Sequence, residues 1–320
     1  MRGIVAGSRS WVDYGIYALL CVVWGSTWLA IKIGLVGAPP FLSASLRFVI
    51  AAAILIPLSL ALGAHWPKGH LEWSVVAFVG IVMFIFDYGL IYWAEASGVE
   101  SALAAVLFAT MPFQTALMAH GLIRQEKLTA KRVVGIAMGF GGIVLVFSGE
   151  MGGVGVDKAL PMLAIVLSAT CASAASVAMK RWGHDASPYT WNAVAMAIGA
   201  TGLMLLSLSA REPLATPGWP EGILSILYLA VLGTVVTFVG YLRLLKTIPV
   251  TTMSFIAFIT PIVAVFLGYA VASETLDPVA GVGAAITLGG IVVYSWKRRI
   301  PVAGSAEAAP ATMSPGPPEN

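Results

Sequence analysis

The sequence predicts an all-α integral membrane protein of ten transmembrane helices, arranged as two inverted five-helix repeats. Composition comes first: 59% of the 320 residues are hydrophobic and 10% are charged, with a mean hydropathy of +0.91, whereas soluble domains carry about 25% charged residues. Second, ten apolar stretches approach the roughly 20 residues that a helix needs to cross a hydrocarbon core. Third, the chain from Trp24 to Tyr294 is written twice. Lys32 aligns with Lys180 (180 − 32 = 148), Pro40-Phe41 with Pro188-Tyr189, Pro112 with Pro261, Glu126 with Glu274 and Gly135 with Gly283. An odd number of crossings per copy turns the second copy upside down, which creates a pseudo-two-fold axis in the membrane plane and a cavity between the halves.

The stretches run over residues 14–36, 41–62, 72–94, 101–121, 130–148, 160–180, 188–209, 222–243, 250–271 and 278–296. They are rich in Ala, Leu, Ile and Val without strict alternation and are too long for barrel strands, so helices must satisfy the backbone internally. Residues 14–148 form the first repeat and 160–297 the second, while 301–320, rich in Ala, Pro and Ser, read as a disordered cytoplasmic tail. The first stretch is membrane-length and lacks a small-residue cleavage site, so it is expected to be an anchor. Cys21 and Cys171 fall inside stretches and are expected to be small buried residues.

Taken in order, stretch one carries Trp24-Gly25-Ser26-Thr27-Trp28 and Lys32, stretch two Arg47, and stretch three Asp87 and Tyr88. Stretch four holds Pro112 and Gln114, and stretch five Gly135 and Gly139, a small-residue face for close packing. Stretch six opens the second copy with Thr170-Cys171-Ala172-Ser173 where the first has its Trp-Gly-Ser-Thr run. Stretch seven begins Tyr189-Thr190-Trp191-Asn192, and an Asn in apolar surroundings needs a partner, either another helix or a solute amide. Stretch nine carries Pro261, and stretch ten a second small-residue face of Gly281, Gly283, Ala285 and Gly289. Glu126 and Glu274 come at helix ends before the capping candidates Thr129 and Asp277-Pro278 and read as structural.

Charge inside hydrocarbon is expensive, which singles out Lys32, Arg47 and Asp87. At about 1.5 Å per residue the three lie at similar depth in the outer half of the membrane. They would form either a self-neutralising Asp87–Arg47 pair with Lys32 snorkelling, or a polar cluster facing the cavity. In the second case the surplus positive charge would attract a carboxylate-bearing solute, and Asp87 would exchange a proton. The aligned positions of the second copy are Val236 for Asp87 and Ala195 for Arg47, an asymmetry that favours a site over an architectural need. Trp24, Trp28 and Tyr88 lie deep beside Ser26 and Thr27, where rings stack on a solute or face lipid. Pro112 and Pro261 free carbonyls near Phe108 and Ala257, as hinges or as static kinks. The candidate solute-binding set is therefore Trp24, Ser26, Thr27, Trp28, Lys32, Arg47, Asp87, Tyr88, Gln114 and Asn192, with Pro112 and Pro261 as hinges.

With the N-terminus inside, basic residues such as Arg124, Lys131-Arg132, Lys180-Arg181, Arg243 and Lys297-Arg298-Arg299 fall on the cytoplasmic side, and the outer loops keep only Lys158 and Arg211. The positive-inside rule then puts both termini in the cytoplasm. No HExxH helix, nucleophile elbow or nucleotide-binding loop occurs in the sequence, which argues against a polytopic enzyme or a primary pump. The four His residues, at 65, 70, 120 and 184, show no metal spacing, and neither a cofactor nor a nucleic-acid partner is expected.

Trp24-Gly25-Ser26-Thr27-Trp28 with Ala30-Ile31-Lys32 resembles the opening of an EamA domain of the drug/metabolite transporter superfamily, and Ser45-Leu46-Arg47-Phe48 resembles its second helix. The paired ends Gly141-Gly142-Ile143-Val144 and Gly289-Gly290-Ile291-Val292, each after a Pro-containing helix that ends in Glu, are similar to that family's doubled signature. The resemblance spans residues 14–297 and implies a ten-helix carrier of small organic solutes in the bacterial inner membrane, often an exporter. Its cargoes range from amino acids to drugs and nucleotide-linked sugars. The expected partners are a small-molecule solute and the lipid bilayer, with the chain a monomer or weak dimer.

Overall fold

A computed structural model describes residues 11–123, 129–154, 158–183, 187–214, 217–218, 220–253, 256–274 and 277–295. Among the described residues the chain is helical, with no strand. The tail 301–320, Glu126, His184 and the Lys297-Arg298-Arg299 run lie outside them. Helices α1 (Trp11–Gly34), α2 (Pro40–Ala61), α3 (Gly69–Ala96), α4 (Ser101–Leu122) and α5 (Ala130–Val154) make up the first half. The second half contains α6 (Ala159–Trp182), α7 (Pro188–Ser209), α8 (Glu221–Thr247), a single turn Val250–Met253, α9 (Ile256–Ala272) and α10 (Pro278–Ser295).

Local chemistry sets many of the helix starts. Pro40 and Pro188 occupy first turns, where a missing N–H costs nothing. Asp277 Oδ1 accepts from the Val279 and Ala280 N–H groups at 2.8 and 3.2 Å and caps α10. Helices α1 to α8 are long and apolar enough to cross a membrane, whereas Ile259–Ala272 and Pro278–Tyr294 are shorter apolar helices. Among the described residues, length and composition alone thus give eight crossings where the sequence predicts ten, the ninth and tenth stretches holding the two shorter helices. Large apolar side chains cover the outside, among them Val22, Leu60, Phe86, Leu205, Phe266 and Tyr269. A water-soluble protein would not leave so much apolar surface bare.

Two helix pairs tie the halves together, and both run antiparallel. At the α5–α10 crossing, a Cβ on Gly135 would stand 2.5 Å from the Gly290 carbonyl oxygen, and one on Gly283 would stand 2.6 Å from that of Gly142. The contact Gly135–Gly290 becomes Gly283–Gly142 when 148 is added to one number and subtracted from the other. Thr287 Oγ1 donates across this crossing to the Gly139 carbonyl at 3.3 Å. In the α2–α7 pair, Ser45 Oγ donates to Ala200 O at 2.9 Å. At one end Glu212 accepts from the Phe41 and Leu42 N–H groups at 3.2 and 3.0 Å, and at the other Thr190 Oγ1 donates to His65 O at 2.7 Å.

Backbone contact at α5–α10 leaves no room for a side chain, which gives a sharp test. Gly135→Ala is expected to lower stability by roughly 1–3 kcal/mol. Gly141→Ala, whose Cβ meets nothing within 4 Å, should leave it unchanged or raise it by up to about 1 kcal/mol. Thermal unfolding of the purified protein in detergent checks the contrast.

Candidate functional site

Helices α1, α3, α4, α6, α8 and α9, with the Val250–Met253 turn, surround a cavity holding about 700 Å³ of empty space, part of it open to the outside of the bundle. The first half contributes Trp24, Thr27, Trp28, Asp87, Tyr88 and Phe108, and the second Ala172, Ser176, Phe238, Tyr241 and Thr260. Aromatic edges and faces build its walls: Trp24 packs on Phe238 and Tyr241 with centroids 5.4 Å from each, and Trp28 on Phe108 at 5.3 Å. The polar atoms are largely committed. Trp24 Nε1 donates to Gly233 O at 3.3 Å, Thr27 Oγ1 to Trp24 O at 2.7 Å, and the Tyr241 and Ser176 hydroxyls lie 2.9 Å apart.

Both α3 and α8 widen into a π-helical stretch beside this cavity, Gly80–Asp87 in α3 and Val231–Val236 in α8. The looser turn re-aims the side chains that follow it. It brings Asp87 and Tyr88 to the cavity from α3, and leads into Phe238 and Tyr241 from α8. Asp87 is 3% exposed, its Oδ1 has no hydrogen-bond partner, and the Ser168 hydroxyl stands beside the carboxyl.

The three intramembrane charges do not gather into one cluster. Arg47, fully buried, reaches across to the second half, with Nε donating to Thr234 Oγ1 at 2.7 Å and Nη2 to Gly233 O at 3.0 Å. Its guanidinium lies 4.7 Å from the centroid of the Tyr88 ring, a cation–π contact. No Arg47–Asp87 ion pair forms within 4.0 Å: the hydroxyl and carbonyl of the π-helical turn of α8 take Nε and Nη2, and Nη1 has no hydrogen-bond partner. Lys32 Nζ pairs with Glu274 Oε1 at 2.6 Å.

The remaining candidates lie off the cavity wall. Ser26 Oγ contacts Tyr228 OH at 2.5 Å and donates to Val23 O at 2.8 Å. Gln114 Nε2 donates to Thr110 Oγ1 at 3.1 Å and Val166 O at 3.3 Å. Asn192 Nδ2 donates to Pro188 O at 2.8 Å, within its own helix. Pro112 sits in the first turn after a break in α4 at Ala109–Thr110, while Pro261 lies inside a continuous α9. Among the described residues no three His, Cys, Asp or Glu side chains converge as a metal site requires.

A clamp forms at Lys32, one residue beyond the cavity-lining Ile31. Glu274, between α9 and α10, receives Lys32 and also the N-terminus of α4: Ser101 N and Ala102 N donate at 3.2 and 3.1 Å, and Ser101 Oγ at 2.8 Å. A carboxylate there meets both unpaired N–H groups and the positive end of the helix dipole. Glu95 lies nearby within reach of the Glu274 and Lys32 fields, and both of its oxygens are buried without a hydrogen-bond partner. Burial pushes the Glu274 carboxyl up, but Lys32, the Ala102 N–H and Ser101 outweigh it and hold it below its ordinary value of 4.5.

The sequence profile of the EamA-like transporter family matches residues 14–148 and again 159–296. The chain belongs to the EamA-like transporter family. Among its relatives, the uncharacterized inner membrane transporter YedA of Escherichia coli (strain K12) is 29% identical over 286 residues, which cover 88% of this chain and 90% of that one. The uncharacterized transporter YoaV of Bacillus subtilis is 25% identical, over 87% and 95% of the two chains. A protein of known crystal structure superposes with a TM-score of 0.69 over 90% of this chain and 98% of its own, at 21% identity, a likeness of fold.

In this EamA protein, Phe238 and Tyr241 are cavity residues that reading the sequence for aromatic clusters in the first half passes over. In the register that sets Val236 against Asp87 (236 − 87 = 149), Tyr241 falls on Tyr92 and Phe238 on Gly89, so the doubling marks Tyr241 as an aromatic position and gives no signal for Phe238. Glu274 is the other such residue. It marks a helix end in sequence, and only the fold brings α4 and Lys32 to it.

The depressed carboxyl at Glu274 fixes a sign for pH. A group held below its unfolded value adds stability above that value and loses it as pH falls through the folded one. The stability that Glu274 contributes to the detergent-solubilised protein should therefore be fully present above about pH 5 and be lost as pH falls below the ordinary 4.5 of glutamate. Glu274→Gln should remove the added stability at pH 7 and flatten this acid limb, read by thermal melts across pH 3.5 to 7.

Proposed function

We propose that the chain is a secondary transporter that exports amino acids, aromatic ones included, or related small metabolites across the inner membrane by alternating access. The observation that carries this reading is the cavity itself, lined from both halves by aromatic rings with one carboxylate among them. Rings of this kind stack on planar or aliphatic solutes.

The architecture proposed with it is two inverted five-helix repeats, residues 14–148 and 160–297, making ten crossings with both termini in the cytoplasm. The antiparallel pairs α5–α10 and α2–α7 support the inversion, since equivalent helices of the two halves run in opposite directions. On this reading α5 and α10 form a fixed support, and the other helices rock about the pseudo-two-fold. The Lys32–Glu274 clamp then belongs to the outward-closed arrangement and parts when the outer side opens. Pro112, after the break in α4, and Pro261 in α9 take up the bending. Arg47 acts by holding the Tyr88 wall in place, and Asp87 by meeting the solute or a proton.

Efflux of labelled amino acids from proteoliposomes tests the function. Wild-type protein should release at least one aromatic amino acid or close relative faster than empty vesicles, and Asp87→Asn should cut the rate by about tenfold or more. Arg47→Ala should cut it by a similar factor through loss of the Tyr88 wall. Wild-type rates from both variants for every solute that moves would remove Asp87 and Arg47 from the mechanism. A tag fused after residue 300 should report the cytoplasm, and an external signal would overturn the orientation.

A further inference from the structure

We infer that the cavity recognises a protonated organic amine carrying an apolar body of about one aromatic ring, with its ammonium seated on the Asp87 carboxylate and its body among the rings of Trp24, Trp28, Tyr88 and Tyr241. The inference rests on the proposed function in taking this cavity as the solute site, and it moves the preferred cargo from the amino acids to amines among the related small metabolites. Asp87 is the only charged residue among the described residues that line the cavity. Its Oδ1 is buried with no partner, and the Ser168 hydroxyl beside it supplies no charge. A carboxylate held in hydrocarbon without a cation is costly, so the site is complete only when a cation or a proton occupies it.

The protein's own cations are engaged elsewhere. Lys32 pairs with Glu274 at 2.6 Å, and Arg47 is bound through Nε and Nη2 to Thr234 and Gly233, with its field on Asp87 but no ion pair; its Nη1 has no partner, but the side chain is fully buried and off the cavity wall. A solute carboxylate entering the cavity would thus meet an acid and no cation. That reverses the expectation, drawn from the net positive charge of the three intramembrane residues, that an acid group would be attracted. The walls agree with the carboxylate: aromatic faces attract an ammonium through the ring quadrupole, most strongly in a desolvated site, and pack against the apolar remainder.

Three solutes of one shape and different charge decide the matter: 2-phenylethylamine, phenylalanine and phenylacetate, titrated into the purified full-length protein in detergent and read by calorimetry and by thermal shift. The amine should bind at least about tenfold more tightly than phenylalanine, a difference of about 1.4 kcal/mol, and phenylacetate should bind most weakly. Asp87→Asn should weaken the amine by about tenfold or more and leave the three solutes nearly equal. Trp28→Ala should weaken all three in proportion and keep their order. If Asp87→Asn does not fold, the order of the three solutes on the wild-type protein still decides. Phenylalanine or phenylacetate binding as tightly as the amine would overturn the inference, as would an Asp87→Asn protein that keeps the wild-type order. Efflux of some solute with no binding of the amine would sink the amine assignment and leave the transporter reading in place. Amine binding with no solute crossing the membrane would do the reverse.

Discussion

Backbone meets backbone where α5 crosses α10, at Gly135 with Gly290 and Gly142 with Gly283, and the rest of the arrangement depends on that contact. In lipid there is no hydrophobic drive to bring helices together, so close approach of small residues has to supply the association. The crossing joins one half to the other at one firm seam, and the α2–α7 pair makes a second. With α5 and α10 spent on this seam and α2 packed along α7, the six remaining helices are left to face one another across the middle, and their aromatic side chains fill that space only in part. A cavity therefore follows from where the glycines lie.

Polar groups obey the same economy of contacts. Two of the charges find partners in the other half: Arg47 of the first half with Thr234 and the Gly233 carbonyl of the π-helical turn in α8, and Glu274 of the second half with Lys32. Such bonds are made in an apolar surround, where an unmade one is costly, so relative movement of the halves must exchange partners and not merely lose them. The Glu274 clamp suits that requirement. It is a cluster of charge-assisted bonds at a helix N-terminus, with the Lys32 side chain 39% exposed, so that water would be at hand if the proposed movement parted it. Asp87 has Ser168 beside it and an unmet oxygen, and of the buried charged groups with an unmet atom, which include Arg47 Nη1 and Glu95, it is the one on the cavity wall.

Much of this was legible in the sequence, and the limits have a physical cause. Helices fall within a few residues of the predicted stretches because composition and Pro or Gly breaks are local signals; α7 begins at Pro188 and ends at Ser209 as expected. The doubling foretold that Gly135 and Gly283 play matching parts. Trp24, Trp28, Asp87 and Tyr88 were picked out by depth and residue type, and the cavity does collect them. Partners were not legible, since they come from the other half of the chain. Depth along a helix placed Lys32, Arg47 and Asp87 at one level, but rotation about the helix axis and the offers of Glu274 and Gly233 pull them apart. Gln114 and Asn192 are polar residues in apolar helices, yet their bonds to Thr110, Val166 and Pro188 are close at hand. Tyr241 has an aromatic counterpart in the first copy and Phe238 has none, so Phe238 becomes visible only where the fold brings α8 to the cavity.

The central claim is that two inverted halves enclose a path reachable from either face of the membrane. Ala172 lines the cavity from the second half, and a cysteine placed there, in a protein with Cys21 and Cys171 replaced, reports access with little change in volume. A membrane-impermeant thiol reagent should label it in right-side-out and in inside-out vesicles, with labelling from each side slowed by a solute that the protein transports. Labelling from one face alone under all conditions, or from neither, would contradict the account.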